Sequence, residues 1–289
     1  MSSHKPKAIL VTDADRSVGR ETALLLAERG AWVVAQGTDK AEMSDLPRET
    51  NRGGLIENTW ENLADRASCV AALARVQKLY GQVDAVVSTG GMAGFGPVEE
   101  ASEARVQAML EANFLTPMRL IQAAAPLLRA RRQGTLVCVS TAAGRLGLPL
   151  SGAYSASRYA LEGLCDALRL ELGIFGVDVV LVEPGLIRDR VGGDSLRGVT
   201  AASLFGVGPK SPYADIATVM TETYHQLVQR AGSPHDVAVV IDRALSSSRP
   251  KARYAVSRAT AAMLLARKVL PDRLIDSRLV KAMGIDLED

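Results

Sequence analysis

Tyr154 and Arg158 stand four residues apart at the start of a helical run, Tyr154-Ser155-Ala156-Ser157-Arg158-Tyr159-Ala160-Leu161-Glu162-Gly163, so the two side chains share a face. A phenol with a pKa of about 10 serves poorly as acid or base at neutral pH unless its anion is favoured. A fixed guanidinium charge one turn away, with a helix N-terminus close by, favours the phenolate. Taken alone, a Tyr and an Arg at this spacing are more often a surface pair, and only the surrounding pattern raises it. A second set, Thr12-Asp13-Ala14-Asp15-Arg16-Ser17-Val18-Gly19, follows a short apolar run and opens a helix. Free N–H groups and the positive end of a helix dipole can seat a diphosphate there. Glycines let a backbone approach phosphates closely, and only Gly19 is present. A strand–turn–helix junction with one glycine is, by itself, common.

The elements that must hold these residues are legible as alternation. Apolar, β-branched runs occur at Ala8–Thr12, Trp32–Gln36, Leu55–Asn58, Val83–Thr89, Thr135–Ser140, Val177–Glu183 and, more weakly, Arg253–Ser257. Runs this uniformly apolar predict strands covered on both faces, hence a parallel sheet. Between them, apolar residues three and four apart predict helices over Val18–Arg29, Ser68–Tyr80, Ser102–Arg132, Tyr154–Leu172 and Asp215–Gln229. Pro126 is expected to kink or end the helix over 102–132. The expected fold is α/β: one doubly wound, Rossmann-like parallel sheet of about seven strands over residues 1–289. Residues 186–212, Gly- and Ser-rich but with Val191, Leu204 and Phe205, read as a substrate loop or an ordinary long loop. Residues 258–285 read as a helical extension split at Pro271.

Further motifs join the first two. Ser88-Thr89-Gly90-Gly91 ends a strand, Asn113 lies inside a long helix, Ser140-Thr141-Ala142-Ala143-Gly144 ends another strand, and Glu183-Pro184-Gly185 follows the sixth. Their order and spacing resemble the short-chain dehydrogenase/reductase family, in its hydroxysteroid- and retinol-dehydrogenase-like branch, over residues 7 to 285. The resemblance implies catalytic roles for Tyr154, Arg158, Thr141 (thirteen residues before the Tyr, at the family's Ser) and Asn113. It implies a nicotinamide dinucleotide held by Thr12, Asp13, Arg16, Ser17, Val18, Gly19, Thr38, Asn62, Leu63, Ser88, Gly90, Pro184, Gly185 and Ile187. The chain departs from the family pattern where Asp13 and Ser17 replace glycines, where Arg158 replaces Lys and where Asn62 replaces the Asp that faces adenine.

Each departure has a physical consequence. Arg158 keeps a positive charge but is wider than Lys and cannot relay a proton, so activity is expected to be reduced. Thr141 keeps the hydroxyl. A carboxylate at Asp13 repels a diphosphate, unless Arg16 or Arg20 offsets it or the side chain turns away or caps the helix. No acid stands at Gly37, where NAD-preferring relatives bind the ribose 2′-hydroxyl, and Arg16 lies where NADP-preferring relatives often carry a base. NADP is therefore expected over NAD, with no dinucleotide at all as the other outcome.

A net charge of +2 on 289 residues, without a block of like charge, argues against a nucleic-acid or membrane partner. Cys69, Cys138 and Cys165 are three in number and scattered, which fits free thiols in a reducing compartment. His4, His225 and His235 do not approach metal-ligand spacing, and no metal is expected. No run of about 18 apolar residues is present, so a cytoplasmic protein is expected. Apolar residues in the loops (Met92, Phe95, Leu146, Leu148, Leu150, Leu186, Ile187, Phe205) suggest a small apolar substrate. A homodimer or homotetramer through helices 102–132 and 154–173 is expected. Two functions remain open at this point: an NADP(H)-dependent carbonyl/alcohol oxidoreductase, and a degenerate member that binds a ligand or partner or performs non-redox isomerisation, cyclisation or dehydration.

Overall fold

A computed structural model describes residues 6–188 and 200–285 of the chain. Val191 and the middle of the expected substrate loop lie outside the described residues. Seven strands form the sheet: β1 (Ala8–Val11), β2 (Trp32–Gln36), β3 (Leu55–Thr59), β4 (Ala85–Ser88), β5 (Gly134–Val139), β6 (Val177–Glu183) and β7 (Arg253–Ala255). All pair in parallel, in the order β3-β2-β1-β4-β5-β6-β7. Period-two alternation sends successive side chains to opposite faces. Leu10, Val86, Leu136 and Leu181 pack on one face, whereas Ile9, Val87, Val137 and Val182 pack on the other. That double burial explains the absence of polar alternation in the strands.

The helices covering the faces are α1 (Ser17–Glu28), α2 (Arg66–Tyr80), α3 (Glu103–Leu110), α4 (Thr116–Arg131), α5 (Gly152–Gly173), α6 (Ala201–Phe205), α7 (Ala214–Gln229), α8 (Pro234–Ser246), α9 (Arg258–Val269) and α10 (Asp272–Ala282). The helix expected over 102–132 is broken, but not at Pro126. Pro126 sits inside α4, and its position i−4, Gln122, is exposed, so water can satisfy the carbonyl that loses its partner. The break is a π turn at Glu111–Leu115, which separates α3 from α4 and carries Asn113 fully buried.

Chain reversal places the switch point between β1 and β4, whose carboxyl ends diverge into a crevice. The far edge is held by charge. Arg253 on β7 binds Glu162 (2.9 Å) and Asp166 (2.8 Å) of α5 and Glu183 (3.2 Å) of β6. Glu162 and Glu183 are nearly inaccessible to solvent. Burial pushes the Glu162 carboxyl up, against a Ser140 hydrogen bond that lowers it. Arg253→Ala should leave the buried Glu162 without its cation, while Arg145 (3.4 Å) still faces Glu183 and Arg169 (2.8 Å) Asp166, and cost about 3 kcal/mol. Thermal unfolding is the check, with an expected midpoint drop of roughly 6 °C or more; an unchanged midpoint would show the network to be ornamental.

Candidate active site

Tyr154 occupies the first turn of α5 and is half-buried. The Arg158 carbon Cζ lies 5.5 Å from the centre of its ring. The guanidinium turns inward, donating from Nη1 to the carbonyls of Val139 (3.3 Å) and Gly90 (3.4 Å). Its Nε is buried without a partner among the described residues. The Phe95 ring stands 6.4 Å from that of Tyr154. Phe95 in turn packs edge-on against Phe205 (5.8 Å) and Tyr224 (5.9 Å). Tyr154 thus has both a charged group and an aromatic cluster as neighbours.

Thr141 follows β5 and caps a short turn, Ala142–Gly144, its hydroxyl accepting from Ala143 N–H at 3.4 Å. Asn113 spends its side chain on positioning. Its Oδ1 accepts Met92 N–H (2.7 Å), and its Nδ2 donates to Met92 O and to Ser157 Oγ (both 2.9 Å). These bonds fix the loop after β4, in which Gly90 and Gly91 face the crevice. A Cβ on Gly91 would fall 2.0 Å from Arg158 Nη2, and one on Gly90 would fall 2.2 Å from Asp13 Oδ2. Both glycines therefore form a cradle now filled by the ends of two long-range side chains.

Asp13 adopts a left-handed backbone (φ 51°), a conformation Asp tolerates better than most residues. Its N–H donates to Gln36 Oε1 at 3.2 Å, and its carboxyl leans over Gly90. Burial pushes that carboxyl up, opposed by a Thr12 hydrogen bond and the Arg16 charge. Gly19 is obligatory, since a Cβ there would lie 2.3 Å from Asp13 O. The N-terminus of α1 has no side-chain cap and no acid in its first turn, so the N–H groups about Ser17, Val18 and Gly19 remain open to an anion.

Other expected site residues make contacts within the fold. Thr89 donates its N–H to Thr12 Oγ1 (3.1 Å) and its hydroxyl to Thr12 O (2.6 Å), which pins β1 to the end of β4. Ser88 is buried at that same end, and Pro184 O accepts Ala142 N–H at 2.9 Å. Gly185 lies against Thr260, where a Cβ would meet its hydroxyl at 2.9 Å. Leu63 is a core residue, and Ile187 packs with the α1 and α8 side of the sheet. Asn62 is exposed and caps Ala64 N–H at 3.2 Å. One expectation about basic residues needs correction. Arg16 reaches across to Gly91 O (3.0 Å), and its charge lowers the Asp13 carboxyl as expected. Arg20 binds Glu42 O (2.8 Å) and Asp45 (2.6 Å), so it does not offset Asp13. Leu146 is buried beneath α9 and α10, leaving Phe95, Leu150 and Phe205 as the gathered apolar group. A cavity of about 30 Å³ beside them, lined by Phe95, Met109, Ala153 and Phe205, has room for about one water. Sequence reasoning missed Gln36, buried and linking Asp13 to Glu61 O, and Asp15, whose carboxylate binds the β2 end.

The pattern of crevice, cradle and tyrosine agrees with what sequence comparison finds. The short chain dehydrogenase family profile matches residues 7–196. The chain belongs to the short-chain dehydrogenase family. Retinol dehydrogenase 8 of Bos taurus is 31% identical over 264 residues, covering 86% of this chain and 80% of that protein. A short-chain dehydrogenase structure from Streptomyces avermitilis superposes with a TM-score of 0.76 at 28% identity, covering 97% of each chain. A metagenomic short-chain oxidoreductase in complex with NADP has the same fold (TM-score 0.66, 24% identity, 86% of this chain and 95% of that one). As a short-chain dehydrogenase, the chain is an oxidoreductase by family, and among the described residues no helix is long and apolar enough to cross a membrane. Its three cysteines are buried free thiols, with Cys69 pushed up to about 11 by burial.

Proposed function

We propose that this short-chain dehydrogenase interconverts a carbonyl and a secondary alcohol on a small apolar substrate, using a nicotinamide dinucleotide and Tyr154 as acid/base. One observation carries the reading: the Tyr154 ring has the Arg158 guanidinium carbon 5.5 Å from its centre and the Phe95 ring at 6.4 Å. A reacting group there would have a proton source, a charged neighbour and an apolar ring close by.

A dinucleotide fits the crevice if one side chain moves. The glycine cradle is filled by the ends of Asp13 and Arg158 with Asn113 Oδ1 beside Gly91, and the α1 N-terminus has no side-chain cap among the described residues. Among the described residues the Asp13 carboxyl makes no hydrogen bond to the main chain, so rotation about its Cα–Cβ bond can release it. Ser17, Val18 and Gly19 N–H groups with Arg16 would hold the diphosphate, and Gly90, Gly91 and Arg158 the nicotinamide end. Bound there, the nicotinamide supplies or accepts hydride. In the reducing direction Tyr154 gives its hydroxyl proton to the forming alkoxide, and in the oxidising direction it takes that proton back. Thr141 offers a hydroxyl to hold the same oxygen. Arg158 anchors the cradle through its two carbonyl contacts. The NADP preference expected from Arg16 loses that support, since Arg16 faces Gly91.

A second reading, a member without hydride transfer that binds a ligand or partner or isomerises, cyclises or dehydrates through Tyr154 and Thr141, is favoured by the Asp13 carboxyl lying on Gly90. Consumption of reduced nicotinamide with a panel of apolar ketones separates the two. The first requires ketone-dependent consumption; conversion of substrate without any change in nicotinamide supports the second. Arg158→Lys should raise turnover about tenfold, since the compact ammonium supplies charge while restoring room beside Gly91; a fall in kcat would mean that the guanidinium itself is required. A cytoplasmic homodimer or homotetramer through α4 and α5 belongs to the same reading, and light scattering in solution tests the assembly.

A further inference from the structure

We infer that Asp15, in the turn between β1 and α1, is the acid that reads the adenine-side ribose, so that the crevice selects a dinucleotide with a free 2′-hydroxyl over a 2′-phosphorylated one. The inference rests on the dinucleotide reading above and sharpens it. Asp15 lies twenty-two residues before Gly37, the position at which the sequence lacks an acid, yet its side chain ends there. A Cβ on Gly37 would lie 3.0 Å from Asp15 Cγ and 2.3 Å from Met43 Sδ. Gly37 has no side chain, and Asp15 and Met43 use the space.

Asp15 Oδ2 accepts from Thr38 N–H (2.7 Å), Thr38 Oγ1 (3.0 Å) and Asp39 N–H (2.9 Å). Three donors on one oxygen fix the carboxylate at the strand end. Oδ1 accepts no hydrogen bond among the described residues, which leaves an acceptor for a ribose hydroxyl. A 2′-phosphate requires the opposite environment, free donors and a base. Here the Thr38 and Asp39 N–H groups are already taken by an anion. The nearby bases are turned elsewhere: Arg16 to Gly91 O, Arg20 to Asp45, and Lys40 over the Trp60 ring at 5.6 Å. Asp39, whose Oδ1 caps Ala41 and Glu42 N–H, adds a second carboxylate at this strand end and no donor for a phosphate.

Calorimetric titration of the full chain with NADH and with NADPH tests this, repeated in Asp15→Asn and in Asp13→Gly. The expected result is NADH binding at least about tenfold tighter, a ratio that Asp15→Asn narrows to about twofold, chiefly by tightening NADPH. NADPH binding as tightly as NADH to the unmutated chain overturns the inference, whatever the variant does, and leaves the dinucleotide reading standing. An unchanged ratio in a folded Asp15→Asn also overturns it. If the unmutated chain binds neither, the ratio is read in Asp13→Gly; binding of neither there overturns this inference and the dinucleotide reading together.

Discussion

Asp13→Gly should tighten nicotinamide-dinucleotide binding by at least about fivefold and by as much as several hundredfold. A carboxylate and one phosphate charge 4 Å apart repel by about 1 kcal/mol in bulk water and about 4 kcal/mol at an effective dielectric of 20. Each 1.4 kcal/mol is about tenfold in Kd, which sets that range. Glycine removes the charge, frees the cradle over Gly90 and suits the φ of 51° better than Asp. Asp13→Asn keeps the bulk and loses the charge, so its Kd should fall between the two; a Kd equal to the unmutated chain's would assign the block to shape. The substitution also predicts a pH effect. Burial raises the Asp13 carboxyl above its ordinary 3.8, so the folded chain holds that proton more tightly than the unfolded one. The stability this contributes is present below 3.8 and lost as pH rises to the elevated folded value. Urea midpoints of Asp13→Gly should lack that decline.

Tyr154→Phe should lower turnover by about 10²- to 10⁴-fold, the usual contribution of a positioned acid or base. The ring remains against Phe95 and beneath Arg158, so the fold and dinucleotide affinity should hold within about twofold. Loss of kcat with Kd preserved places the hydroxyl in the chemical step. Turnover that survives the change would remove Tyr154 from the mechanism, and the Thr141 hydroxyl would be the next group to substitute.

The sheet was legible because each strand is buried on both faces and so reads as an apolar run, as in Ala8–Val11 and Ala85–Ser88. The α5 placement of Tyr154 and Arg158 followed from spacing alone. The helix α8 escaped notice although Ser233 and Asp236 form a reciprocal cap with Pro234 between them, a signal that local composition carries. The π turn at Asn113 has no such signal: its cause is the pairing of a buried amide with Met92, twenty-one residues away. The same holds for the charged residues of the first turn. Whether Asp15 points to β2 and Arg16 to β4 depends on which strand ends lie beside the turn, which the turn's own sequence does not specify. Leu63 and Ile187, expected at the crevice from motif position, have apolar side chains packed in or against the core.

Thermal unfolding of the chain with saturating NADH is the most direct test of the crevice as a dinucleotide site. A ligand at about 100 times its Kd adds roughly 2.7 kcal/mol, which for a chain of this size lifts the midpoint by about 5–10 °C. That rise, larger still in Asp13→Gly, is the predicted result. Midpoints unmoved by NADH and by NADPH in both proteins would contradict the account.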